Sequence, residues 1–361
     1  MEIALQLTKE NTLKYYLLGN SGLRVSELAL GTMTFGTDLG WGAAPDEARK
    51  MLDIYLEHGG NFVDTASVYT NGSSENILGD MLGEHRERIV LATKYTLNVH
   101  PGDPNAGGNH RKSMVRSVET SLSRMKTDRI DLLYLHAWDN TTPVEEILRA
   151  MDDLVRAGKV LYVGISDTTA WQIARMQTIA DLRGWSPLIA LQSEYNLIER
   201  TTERDLIPMA QEMGLGLVPW SPLANGLLTG KYSREELKPS LDVASGFGGT
   251  RKHLITTFGV LNEKALDIVD EVKKVAQEIK KPAALVALAW LRSKPAVTSI
   301  LLGASNSEQL KANLEVLDFT LAEEHLQRLD AVSAIEPGFP HRLLHSTVPM
   351  SVFGGVSVER R

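Results

Sequence analysis

No cysteine occurs in the 361 residues. Disulfides, thiolate metal sites and a cysteine nucleophile are thereby excluded. Long apolar runs are missing too, and none approaches the roughly 18 residues that a membrane-spanning helix needs. The opening residues, MEIALQLTKENTLKYY, carry acidic and polar side chains early. They lack the basic start and clean apolar stretch of a secretory signal. Positive charge is in deficit, with a formal net charge of -7, which argues against a nucleic-acid surface. Several sequence fingerprints are absent as well. Leu30–Gly31–Thr32–Met33–Thr34–Phe35–Gly36 follows the first apolar strand without forming G-x-G-x-x-G. There is no Walker loop, no H-E-x-x-H and no G-x-S-x-G. These absences predict a cytoplasmic protein acting on a small molecule, with no resident metal and no membrane or nucleic-acid partner. They leave the oligomeric state open.

What is present is an ordinary globular composition, 43% hydrophobic and 23% charged. Short apolar strands begin near residues 28, 61, 88, 129, 160, 188, 215 and 297, and nearly every one is followed by a helical pattern. The strands do not alternate apolar with polar, so both faces are covered and the sheet is parallel. Eight such units select a closed (β/α)8 barrel, the TIM barrel, over an open doubly wound sheet. Asn20–Ser21–Gly22 between apolar pieces predicts an N-terminal β-hairpin. Extra helices are expected near the C-terminus. Thr142–Pro143–Val144–Glu145 reads as a capping box with proline at the first helical position. The whole chain, 1–361, is expected to be one barrel domain, with 1–13 and 338–361 as tails; the stretch from Gly338 has no strong period.

Three strand ends carry the chemistry. Asn61–Phe62–Val63–Asp64 ends in Asp64 and runs on to Tyr69; Ile89 to Lys94 ends in Lys94; Leu132 to His136 ends in His136. Taken singly, each side chain has an ordinary reading as cap, packing residue, solvated cation or core histidine. On three neighbouring strands of a barrel, whose active sites lie at the C-terminal strand ends, they converge. A lysine beside a tyrosine favours the phenolate and lowers its pKa. A buried aspartate holds the lysine, and a histidine can hydrogen-bond a substrate oxygen. Such a group protonates an oxygen on which negative charge is building, as on a carbonyl receiving a hydride.

GGNFVDTASVY, LATKY and YLHAWD resemble the signature pieces of the aldo-keto reductases, NAD(P)H-dependent (β/α)8 barrels, and the resemblance runs from Leu17 to Asn313. SPLANGLLTGKY is similar in style to the potassium-channel β-subunit branch and its bacterial relatives. The resemblance implies Asp64, Tyr69, Lys94 and His136 as the catalytic tetrad, with Tyr69 as general acid, Lys94 and Asp64 tuning it, and His136 orienting the carbonyl. For the cofactor it implies Gly31, Thr32 and Met33 after the first strand. Ser166, Asp167 and Gln192 are implied at the carboxamide and Trp220 stacked on the nicotinamide. Ser221, Pro222, Leu223, Asn225, Gly226 and Lys231 form the implied pyrophosphate belt. Gly303, Ser305, Gln309 and Asn313 are implied at the adenosine end.

Two departures bear on the cofactor. Asp167 stands where the family has Asn, and Gly303–Ala304–Ser305 lacks the usual cation for a 2′-phosphate, for which Arg251 is the candidate substitute. NADP(H) is the expected cofactor, with NAD(H) left open. Phe35, Trp41 and Trp138 are the candidate substrate-lining aromatics, and the loops 98–112 and 233–257 are candidates for specificity and closure. The expected function is hydride transfer between nicotinamide and an aldehyde or ketone. The alternative is a cofactor-binding, redox-sensing auxiliary subunit with slow turnover.

Overall fold

The N-terminal hairpin forms where Asn20–Ser21–Gly22 turns the chain. In the computed structural model, which describes residues 13–38, 40–237 and 260–356, β1 (Tyr15–Leu17) pairs antiparallel with β2 (Arg24–Ser26). The turn closes through the Leu18 N–H on the Leu23 carbonyl at 2.9 Å. Asn20 N–H then bonds the Gly214 carbonyl, just ahead of a later barrel strand. The hairpin thus seals the N-terminal floor of the barrel, and its Leu18 and Val25 are fully buried there.

The barrel itself alternates β3 (Leu28–Gly31), α1 (Pro45–Glu57), β4 (Phe62–Asp64), α2 (Ser73–Leu82), β5 (Val90–Tyr95), α3 (Arg111–Arg124), β6 (Ile130–Leu135), α4 (Val144–Arg156), β7 (Val160–Ser166), α5 (Ala170–Arg183), β8 (Leu188–Glu194), α6 (Leu206–Met213) and β9 (Gly216–Trp220). After the undescribed segment come α7 (Glu263–Ile279), α8 (Ala283–Arg292), β10 (Ile300–Gly303), α9 (Ser307–Leu314), α10 (Glu323–Val332) and α11 (His341–Phe353). The eight parallel strands run in the order β10-β3-β4-β5-β6-β7-β8-β9. The ring is nearly closed, with a bridge between Leu217 and Val297 and the Thr298 N–H on the Leu217 carbonyl at 2.9 Å.

Alternation along each strand separates two cores. Inward side chains, among them Ala29, Phe62, Ala92, Leu132, Tyr134, Ala190 and Val218, form the barrel interior with Leu18 and Val25. The outward ones, such as Val63, Leu91, Leu133 and Leu191, pack beneath the helices. Asp64, Lys94, His136 and Gln192 are each an even step from an inward residue of the same strand, so they form the polar layer above that interior.

One close approach fixes where β4 starts. The Tyr55 hydroxyl lies 2.8 Å from the Leu28 carbonyl and accepts from the Phe62 N–H at 3.0 Å. Gly60 passes against this ring so tightly that a Cβ would overlap it. Gly60→Ala should therefore cost about 1–3 kcal/mol by overpacking, read as a lower urea midpoint with unchanged slope.

The sequence pattern differs from the structure in three places. Thr142 does not cap α4: its hydroxyl donates to Asp139 Oδ2 at 2.7 Å, and Pro143 itself is the N-cap residue. The helical pattern after the strand near 188 is split into a 3-10 turn, Thr201–Glu203, and the short α6. The tail from Gly338 holds α11, whose described side chains are mostly exposed. A helix that buries no face leaves little amphipathic period to read. Arg251, with the rest of 238–259, lies outside the described residues.

Candidate active site

The ends of β4, β5 and β6 bring four side chains together. Lys94 is the hub: its ammonium donates to the Asp64 carboxylate, to the Thr65 carbonyl at 2.9 Å and to the Tyr69 hydroxyl at 3.1 Å. Gln192, from across the barrel, donates to the other Asp64 oxygen at 2.9 Å. Tyr69 meets His136 edge-on, with ring centroids 5.9 Å apart and planes at 82°. The Asp64 and Lys94 side chains have no exposure, at 0% each.

Burial and pairing compete over the protons. Burial works against the Lys94 ammonium, but Asp64 and Tyr69 more than offset it and its pKa is raised. Burial pushes the Asp64 carboxyl up against the pull of Lys94. The Tyr69 phenol is likewise pushed up by burial, which outweighs the lowering from Lys94. The lowered phenol pKa expected from the lysine alone is therefore corrected: desolvation of this side chain wins, and the phenol holds its proton at neutral pH.

His136 is driven down to about 3 by burial and then by Lys94. Its Nδ1 is buried without a partner among the described residues. A bare acceptor is tolerated in such a place more often than an orphaned N–H, so the neutral ring carries its proton on Nε2. The unfolded chain binds a proton near the ordinary value of 6.5 and the folded chain near 3. Between these values the unfolded state holds more protons, so this group erodes stability as pH falls below 6.5. Wild type should lose more unfolding free energy than His136→Gln between about pH 7 and about pH 5, measured by urea titration.

The rim around this layer has the features of a nucleotide cradle. Ser166 and Gln192 are buried beside the tetrad, and Met33 is exposed on the rim. Trp220 is half-buried, and its indole N–H donates to Asp167 Oδ1 at 3.1 Å. Beyond it, Ser221, Ala224, Asn225 and Gly226 all have positive φ, the sharp turns of a concave backbone. A Cβ at Gly226 would stand 3.4 Å from the Lys231 ammonium, filling the space between loop and cation. Lys231 has no ion-pair partner among the described residues. A flat half-buried ring, a backbone hollow and an unmatched cation fit a nicotinamide dinucleotide.

Other candidates sit differently. Gly31 and Thr32 are buried, and the Thr32 hydroxyl is engaged by the Asp64 carbonyl and Ser74. Pro222 is buried, and Leu223 and Asn225 are half-buried. Gly303 faces open space. Gln309 and Asn313 share α9 but not an environment: Gln309 is exposed and accepts from the Ser305 N–H at 2.9 Å, whereas Asn313 is buried. Phe35 is corrected, because it is fully buried in the core under the helices and presents no surface to a ligand. Trp41 and Trp138 are half-buried, Trp138 against that same core.

The model of the family described as "Aldo/keto reductase family" matches residues 27–334. The chain belongs to this family. Norsolorinic acid reductase of Aspergillus flavus is 36% identical over 349 residues, 93% of this chain and 84% of that protein. Aryl-alcohol dehydrogenase [NADP(+)] of Phanerodontia chrysosporium is 36% identical over 338 residues, 89% of this chain and 86% of that protein. An uncharacterized oxidoreductase of Bacillus subtilis is 36% identical over 334 residues, covering 89% and 96%. The protein is thus an oxidoreductase of the carbonyl reductase or alcohol dehydrogenase type that uses a nicotinamide cofactor. Among the described residues no group of His, Asp and Glu is placed to hold a metal, and no helix is long and apolar enough to cross a membrane.

The reductase also uses residues that its motifs do not announce. Asn109, fully buried, donates to the Thr96 hydroxyl at 3.0 Å and to the Ala137 carbonyl at 2.9 Å. Thr96 in turn accepts from the His136 N–H at 3.3 Å. The Asn109 N–H donates to Asp139 Oδ2 at 2.7 Å, and the Asp139 N–H donates back to Asn109 Oδ1 at 2.8 Å. Against the cost of burial, the N–H groups of Asn109, Thr141 and Thr142 with the Thr142 hydroxyl hold Asp139 down to about 2. The long loop before α3 therefore anchors the loop that carries His136. Asn196 similarly ties the Ser221 carbonyl, donating at 3.0 Å. Neither amide carries a sequence signal, because its partners are set by loop paths and not by periodicity.

Proposed function

We propose that this reductase moves a hydride between NADP(H) and an aromatic aldehyde or ketone, with Tyr69 as proton donor. The observation that carries the proposal is the Asp64–Lys94–Tyr69 chain at the barrel mouth, with His136 edge-on to the phenol. A nicotinamide bound on the rim would supply the hydride. Ser166, Gln192 and Trp220 would hold its ring, the 221–226 turns and Lys231 its phosphates, and α9 its adenosine end.

Substrate oxygen is received between Tyr69 and His136. The His136 Nε2–H orients the carbonyl by donating to it, and stays neutral throughout because burial has removed its basicity. Tyr69 gives its proton as negative charge builds on that oxygen. Lys94, already bonded to the phenol oxygen, meets the phenolate left behind, and Asp64 fixes Lys94 in that position. A neutral histidine beside a charged lysine keeps the proton source unambiguous.

The NADP(H) choice is supported by the NADP(+)-dependent aryl-alcohol dehydrogenase of Phanerodontia, and the aromatic substrate class by the names of the reductases and dehydrogenases that the chain resembles. Half-buried Trp41 and Trp138 suit a flat apolar ligand. We place the reaction in the cytoplasm, whose reduced nucleotide pool it would draw on. Titration with NADPH against NADH, followed by turnover of an aryl aldehyde panel, tests the reading. Tight nucleotide binding with no carbonyl turned over would favour the auxiliary-subunit alternative. Trp220→Ala should weaken nucleotide binding about tenfold through lost aromatic contact, and unchanged affinity by fluorescence titration would contradict the stacking role.

A further inference from the structure

Two carboxylates lie beside Trp220 without an ion pair among the described residues. Asp167 follows β7 in a strained turn, with φ of 39°, and accepts the Trp220 indole N–H. Glu194 ends β8, and its Cα is paired in register with that of Trp220. Paired residues of a parallel ladder project to the same face, on strands about 4.8 Å apart. Gln192, two residues before Glu194, reaches Asp64 inside the barrel, so Glu194 projects to that same interior side, one step nearer the mouth.

Lys94, the nearby cation, is matched by Asp64. Neither Asp167 nor Glu194 has an ion-pair partner among the described residues. Glu194 is half-buried, and its desolvation, then Glu199 and Asp167, push it up to about 7 against the pull of Asn196, while Asp167 stands exposed at the rim. Two like charges on one rim repel, and a cation brought beside them would relieve that repulsion. One ligand class of this site changes its charge during turnover. A reduced nicotinamide ring is neutral, and after giving a hydride, two electrons and a proton, to the carbonyl carbon it carries one positive charge.

We propose that Asp167 and Glu194 form an acidic wall that makes this site bind the oxidised nicotinamide cofactor in preference to the reduced one. The proposal rests on the cofactor position proposed above. It assigns Asp167 a second role besides holding the Trp220 indole, and gives Glu194 its first. The same field favours hydride transfer toward the carbonyl, because the ring gains its charge in that direction.

The test compares the dissociation constants of NADP+ and NADPH for wild type, Glu194→Gln and Asp167→Asn, by quenching of tryptophan fluorescence at about pH 8, above the ordinary carboxylate range. Both amides keep the side-chain volume, and the new amide oxygen at 167 still accepts from the indole. Each substitution should raise the ratio of the NADP+ constant to the NADPH constant about tenfold, the scale of one unit charge acting across several ångströms of partly buried space. A purely structural fault weakens both nucleotides alike and leaves the ratio in place. An unchanged ratio in one variant removes that residue from the wall, and an unchanged ratio in both overturns the proposal. Failure of wild type to bind either nucleotide would instead sink the cofactor reading on which it rests.

Discussion

Tyr69→Phe should lower kcat by about 10² to 10⁴, the usual worth of a positioned general acid, while nucleotide affinity stays near that of wild type. The phenyl ring keeps the edge-on contact with His136, which the two rings make at 5.9 Å. What disappears is the hydroxyl that Lys94 reaches at 3.1 Å. Without it the developing oxyanion has only the His136 N–H, whose proton is not given up readily by a neutral imidazole. KM for the carbonyl should change less than kcat, because proton transfer is felt only in the transition state. A steady-state comparison reads both quantities from the same data.

Lys94→Met should damage folding and chemistry together. It leaves Asp64 a fully buried carboxylate whose remaining side-chain donor is Gln192. Removing one member of a buried pair costs about 3–5 kcal/mol, a large share of the stability of most domains. Chemistry suffers separately, since the Tyr69 phenolate loses the cation that meets it. The two effects come apart in the double variant Lys94→Met with Asp64→Asn, which removes both charges at once. Its urea midpoint should return most of the way toward wild type, while turnover stays at the level of the single lysine variant. Recovery of both would show that Lys94 serves only the fold.

The fold was readable because a parallel barrel writes itself as short apolar strands with helices between, and each of the eight strands lies where its apolar run is. What misled was local and polar. Thr142 looks like a cap, but Asp139 in the adjoining loop offers its hydroxyl a better acceptor. Phe35 looks like a rim aromatic because its loop is rich in glycine, yet the loop folds back through the Phe35–Ala43 bridge and buries the ring. The meeting of Asp64, Lys94 and His136 could be read because strand ends fix direction: an even step from an inward residue points inward again. Asn109, Glu194 and Asn196 could not, since their partners are distant in sequence or depend on loop paths that no periodicity encodes. The sign of the Tyr69 shift was also out of reach, because it is set by how much water the folded mouth excludes.

The most direct measurement is a single turnover. Enzyme loaded with reduced nucleotide is mixed rapidly with an aryl aldehyde, and the loss of reduced-nicotinamide absorbance is followed for wild type and Tyr69→Phe. Single-turnover rates isolate hydride and proton transfer from product release. Tyr69 as proton donor predicts a wild-type decay at least about a hundredfold faster than that of the variant, with equal amplitudes from equal nucleotide loading. A Tyr69→Phe decay as fast as wild type would contradict it and move the proton source elsewhere in the mouth.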